Sequence, residues 1–123
     1  MQRAKIMLKG FKPGKIVIVC GRTDLRQGID GLASIISNQY NLNLYDDTLF
    51  LFCGIRNDRI KGLYWDANGF VLLYKRLEQG SFRWPRNTSE AKTISRQQYE
   101  WLISGFEIEP RNKPVDTRNF TLF

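Results

Sequence analysis

Residues 64–85 read YWDANGFVLLYKRLEQGSFRWP. Asn68-Gly69 stands between two apolar runs. That dipeptide is the strongest short-range hairpin signal, because both central residues of a type I′ turn need φ > 0. Gly80 marks a second reversal, and residues 81–84 read as a short last strand stopped by Pro85. The block therefore predicts two or three antiparallel strands that carry aromatics and cations side by side.

Outward from this block, residues 16–20 (IVIVC) form a continuous β-branched run, as in a strand covered on both faces. A turn region follows over 21–28. Ile29, Leu32, Ala33 and Ile36 then recur at i, i+3, i+4 and i+7, which is one face of a helix ending within 38–41. Residues 48–53 (TLFLFC) are a second buried strand, after which 54–58 make a loop with a basic tip. Residues 60–65 and 70–74 are the strands flanking Asn68-Gly69, and 87–92 read as a loop. Ser95 and Gln98 fit a capping box, with Tyr99, Leu102, Ile103 and Phe106 at helical spacing and Gly105 as the stop. These elements predict an α+β fold. It is a single domain over 15–106, a mostly antiparallel sheet of about five strands with two helices packed against it. A basic N-terminal arm (1–14) and a C-terminal tail (107–123) flank it, and the tail's Phe120, Leu122 and Phe123 suit docking.

The chain has 123 residues, 42% hydrophobic and 25% charged, which fits one soluble globular domain. No apolar run nears the roughly 18 residues of a membrane helix. With only two cysteines, Cys20 and Cys53, both inside apolar runs, the chain reads as a cytoplasmic protein with buried thiols. It contains no histidine, which excludes Ser-His-Asp and Cys-His catalysis and imidazole metal ligands. Two thiolates fall short of a structural zinc site. No cofactor, metal or small-molecule substrate is indicated.

The formal net charge of +7 favours an anionic partner. Arg3, Lys5, Lys9, Lys12, Lys15, Arg22 and Arg26 crowd the first part of the chain; Arg56, Arg59, Lys61, Lys75, Arg76, Arg83 and Arg86 form a second group. Tyr64, Trp65, Tyr74, Phe82 and Trp84 interleave with the latter, and alternation assigns about half of these aromatics to the core. The remainder suit stacking on bases while cations meet phosphates. Thr23-Asp24-Leu25-Arg26 reads either as local structure, with Asp24 and Arg26 paired or Thr23 capping the next helix, or as a polar site at a strand end. Asp58, Asp66 and Glu78 near Lys61 or Lys75 supply the residue types of a two-metal nuclease, in a weakly specific pattern.

Taken in order, Thr23-Asp24-Leu25-Arg26, Leu49-Phe50-Leu51-Phe52, Asp58-Arg59-Ile60-Lys61 and Leu63-Tyr64-Trp65-Asp66 lead into Tyr74-Lys75-Arg76-Leu77-Glu78, Gly80, Phe82 and Trp84-Pro85. This order resembles the TnpB-type (second-reading-frame) accessory proteins of IS-sixty-six-type insertion sequences, over residues 15–106. Leu25 stands where that family usually has Met. The resemblance implies a non-catalytic role in transposition beside a separate transposase. It carries over no catalytic residue. It makes Asp24, Trp65, Asp66, Glu78 and Trp84, together with the recurring cations, candidates for a shared surface.

The expected activity is thus that of a DNA-binding accessory factor, not an enzyme, with Arg26, Arg59, Lys61, Lys75, Arg76 and Arg83 on phosphates. The alternative is a module that binds the element-encoded transposase without touching DNA. The nuclease reading ranks third.

Overall fold

The run Lys15–Val19 forms strand β1, and its side chains divide between two cores. Ile16 and Ile18 face one apolar cluster, and Val17 and Val19 face the other. A strand buried on both faces belongs at the centre of a sheet, and β1 is hydrogen-bonded on both sides. The structure, a computed structural model, describes residues 11–109. The arm cations Arg3, Lys5 and Lys9 and the tail residues Phe120, Leu122 and Phe123 lie outside the described residues.

After β1 the chain forms helix α1 (Ile29–Ser34), which widens into a π-helical turn over Ile35–Gln39. Ser37 Oγ donates to the Ala33 carbonyl at 3.1 Å, the kind of back-bond that competes with the regular helical ladder. Strands β2 (Thr48–Cys53), β3 (Arg59–Asp66), β4 (Gly69–Arg76) and β5 (Ala91–Ile94) follow, then helix α2 (Arg96–Ile103). The sheet order is β4-β3-β2-β1-β5. The β1–β2 pair is parallel, as the intervening helix requires, and the other pairs are antiparallel. The mostly antiparallel α+β sheet read from the sequence is therefore the fold, with α1 on one face and α2 on the other.

Both ends of α2 follow the sequence signals. Ser95 accepts from the Gln98 main chain, and the Gln98 side chain accepts from the Ser95 nitrogen at 2.8 Å, completing the capping box. At the far end Gly105 takes φ +95, while Phe106 N bonds Trp101 O and Gly105 N bonds Leu102 O. These two bonds satisfy carbonyls that the helix leaves over, in a Schellman arrangement that needs a left-handed residue where Gly105 stands. Phe11 packs edge-on against Tyr64 at 4.7 Å, so the end of the predicted arm lies on the domain body. Ile108 likewise packs on the α2-side core.

Three local readings are corrected. Residues 81–84 are not a strand, although Phe82 and Trp84 are buried and Arg83 is exposed as alternation required. Their main chain bonds to loops instead, with Phe82 N donating to Asn57 O at 2.6 Å. The fifth strand is β5, whose first residues fall in what the sequence suggested was a loop. The β3–β4 turn sits one residue earlier than Asn68-Gly69. Asp66 pairs with Gly69, so Ala67 and Asn68 form the loop. Ala67 alone carries positive φ (56°), and Asn68 N reaches Asp66 O at 2.5 Å, closing a γ-turn about Ala67.

Candidate functional site

One face of the β3–β4 hairpin is graded along its length. Alternation puts Arg59, Lys61, Leu63 and Trp65 on the same side of β3. Register sets them opposite Arg76, Tyr74, Leu72 and Phe70. At the turn end the face is aromatic. Trp65 meets Phe70 at 5.0 Å and Tyr45 at 4.9 Å between ring centroids, and Tyr45 is 62% exposed. In the middle it is aliphatic and covered by α1, with Leu63 fully buried beside Leu32 and Ile36. At the far end it is cationic and open.

That open end is a groove of about 660 Å³ between the loop after β1, the loop after β2, and the hairpin. Leu25, Leu72 and Tyr74 give it an apolar lining, and Arg26, Arg56, Arg59 and Lys61 supply its cations. Thr23 is buried, and its nitrogen donates to Cys53 O at 2.9 Å, which ties the first loop to the end of β2. Thr23 does not cap α1; that position is Gly28, without a side-chain cap. Gly54 N closes the second loop onto Arg59 O at 3.1 Å. Arg86 locks the two loops together, since its guanidinium donates to Gly21 O and Gly54 O, each at 2.6 Å, and to Asn57 Oδ1.

The electrostatics are set by close pairs. Arg26 binds Asp24 through Nε at 2.9 Å and Nη2 at 2.7 Å, and these hydrogen bonds hold the Asp24 carboxyl down at about 2. The Arg26 side chain is still 91% exposed. Arg59 pairs with Asp58 at 3.0 Å, which lowers that carboxyl, and Arg56 lowers it further. Lys61 Nζ donates to Gln27 O at 2.9 Å and lies 5.9 Å from the Tyr74 ring centroid. A cation-rimmed groove over aliphatic and aromatic side chains can hold an anion that carries a flat apolar group.

The structure gathers some of the expected residues and separates others. Arg26, Arg59 and Lys61 share the groove, with Asp24 on its rim. Arg76 stands opposite Arg59 and pairs with Glu78 at 3.0 Å. Lys75 shares the Leu73 side of β4, the opposite face. Arg83 lies away from the groove, lining a wider cavity of about 900 Å³ with Glu90, Lys92 and Glu107. Trp65 belongs to the aromatic end and Asp66 is exposed beside the turn. Trp84 is corrected as a surface candidate: it is buried, and its indole donates to Val19 O at 2.9 Å.

The carboxylates of the nuclease reading do not converge. Asp58 immediately precedes β3 and Asp66 ends it, so they stand at opposite ends of the strand, up to about 26 Å apart at ~3.3 Å per residue. No group of three or more His, Cys, Asp or Glu among the described residues could hold a metal ion. In the sequence Arg56 stands among the basic residues and Tyr74 among the aromatics, and neither is among the candidate site residues. The register pair Lys61–Tyr74 joins the ring to the cations, and it becomes visible only once the turn is placed at Ala67-Asn68.

The family described as IS66 Orf2 like protein matches residues 14–113. The uncharacterized protein y4hO of Sinorhizobium fredii (strain NBRC 101917 / NGR234) is 35% identical over 82% of this chain and 88% of its own length. The uncharacterized protein y4jC of the same strain is 29% identical over 82% of this chain and 87% of its own. No solved structure matches.

Proposed function

The chain belongs to the IS66 Orf2-like family, and from that premise we propose that it is a non-catalytic transposition accessory factor that engages DNA through the cationic groove. The association with transposition comes from the family. The DNA contact rests on one observation: Arg26, Arg56, Arg59 and Lys61 line a single groove in a chain of net charge +7. In this reading these four side chains neutralise phosphates, and Arg76 extends the strip along the hairpin.

Fluorescence anisotropy with labelled DNA across a salt series tests it. Neutralisation of four phosphates gives a slope of log K against log salt of about −3.6. Arg56→Ala with Arg59→Ala should flatten that slope by about 1.8. A salt-independent signal, or none at low salt, overturns the reading.

The aromatic end of the hairpin supports a second reading, a surface that binds the element's transposase. Tyr45 is 62% exposed and packs edge-on against Trp65, and exposed aromatics of this kind anchor protein interfaces. Co-purification with the transposase after nuclease treatment, lost in Tyr45→Ala, supports it. A complex that falls apart on nuclease treatment sinks it.

A further inference from the structure

We infer that the groove takes an unpaired nucleotide of single-stranded DNA, with its base on the Tyr74 ring and its phosphate on the surrounding cations; this rests on the DNA reading above. Tyr74 is unlike the other aromatics of the hairpin face. Tyr45, Trp65 and Phe70 pack on one another. Tyr74 is 52% exposed and has no aromatic neighbour among the described residues. Its place in the groove is fixed by register opposite Lys61, inside the lining that also holds Leu25 and Leu72.

The shape selects the ligand. About 660 Å³ lies within the range of pockets that hold one small ligand, and the Tyr74 ring supplies a flat apolar face in it. In a duplex the bases are stacked inside the helix and present phosphates outward, so a duplex can touch the exposed Arg26 but leaves the Tyr74 ring unused. A splayed base fills the apolar part of the groove, while its phosphate lies within the set of Arg26, Arg56, Arg59 and Lys61. Base-on-aromatic stacking is worth roughly 1–3 kcal/mol, and it tolerates any base because every base has a flat face.

The test compares the full chain binding labelled single-stranded oligo(dT) of about 20 nucleotides with binding to a duplex of the same length. The wild type should prefer the single strand. Tyr74→Ala should weaken single-strand binding by roughly 5- to 150-fold, the range that stacking implies, while duplex binding stays within twofold. Tyr74→Trp should restore it. If Tyr74→Ala leaves single-strand binding intact while Arg56→Ala with Arg59→Ala abolishes binding to both DNAs, the groove holds phosphate alone and the stacking inference is wrong. If Tyr74→Ala weakens both DNAs equally, the preference for an unpaired base is also wrong. If the wild type binds neither DNA, the DNA reading itself fails.

Discussion

The indole nitrogen of Trp84 donates to the main-chain oxygen of Val19 at 2.9 Å, across a buried contact between β1 and a segment without regular structure. The segment after Gly80 has no strand beside it, so it is held by main-chain bonds to loops together with side-chain anchors such as this one. Trp84→Phe keeps most of the bulk and removes the donor. It should cost about 1–3 kcal/mol through the buried Val19 oxygen. Trp84→Ala should cost about 3–5 kcal/mol, because a cavity is added. Urea unfolding of both variants checks the order, and a Trp84→Phe variant as stable as the wild type would mean that packing alone matters.

Arg86 does similar work at the groove, spanning Gly21 and Gly54 with one planar group. A lysine ammonium keeps the charge but not the fork. Arg86→Lys should destabilise the domain by about 3 kcal/mol and weaken any groove ligand, because the two loops lose their shared pin. Unchanged unfolding midpoints would show that the loops hold without it.

Ala67 carries positive φ at the tip of the hairpin. Holding a residue with a Cβ there costs about 1–2 kcal/mol, and glycine gives back part of that gain in unfolded-state entropy. Ala67→Gly should therefore stabilise by about 0.5–1 kcal/mol, a rise of a few degrees in thermal midpoint. A lower midpoint would contradict the γ-turn.

Alkaline pH should unfold the protein earlier than its surface charge suggests. Burial lifts the Cys53 thiol from 9.0 to about 11 and the Tyr99 hydroxyl from 10.0 to about 12. A hydrogen bond to Asp47 lifts Tyr64 to about 12 as well. All three folded values exceed the unfolded ones, so between about pH 9 and 12 the unfolded chain releases protons that the folded chain keeps. Stability is full below pH 9 and falls through that window. The Tyr99 hydroxyl is buried with no hydrogen-bond partner among the described residues. Tyr99→Phe should therefore stabilise the fold at pH 7 by about 1 kcal/mol and blunt the loss above pH 10, as a pH series of thermal melts would show. A pH-independent melt would refute the assignment.

At the acid end the sign reverses. Asp24 sits at about 2, below its ordinary value of 3.8, because Arg26 hydrogen-bonds the ionised form. That contribution is present above about pH 4 and is lost as pH falls toward 2. In Arg26→Ala, carbon-13 NMR of the Asp24 carboxyl should show titration moving up from about 2 toward 3.8, short of it because the residue 26 main-chain nitrogen still donates to Asp24 Oδ1; no change would mean that the side-chain pair does not persist in solution.

Where local chemistry decides the structure, the sequence could be read directly. The doubly apolar run of β1 marks a central strand, and Ser95, Gln98 and Gly105 mark both ends of α2. The missed elements depend on neighbours. In β5, only Ile94 is buried, and its four residues are a strand because β1 has an open side there. Phe82 and Trp84 alternate like a strand because a core lies beneath them, but no second strand lies beside them. The groove was half visible. Arg26, Arg59 and Lys61 stand out as cations, while the direct pairing of Tyr74 with Lys61 depends on register, since a turn at Asn68-Gly69 would set Tyr74 opposite Leu63.

The place of β1 also dictates an order of assembly. Its two partners are β2 and β5, and β5 is the last strand to be synthesised. Until then the apolar KIVIV strand presents a bare edge to every neighbouring chain. The β1 side of the sheet closes late, through the most sequence-distant strand pairing in the fold, which is intrinsically slow. A growing chain is therefore most prone to self-association after β4 has emerged and before β5 has. A chain cut at residue 90 should collect in the insoluble fraction even though the whole groove is present in it.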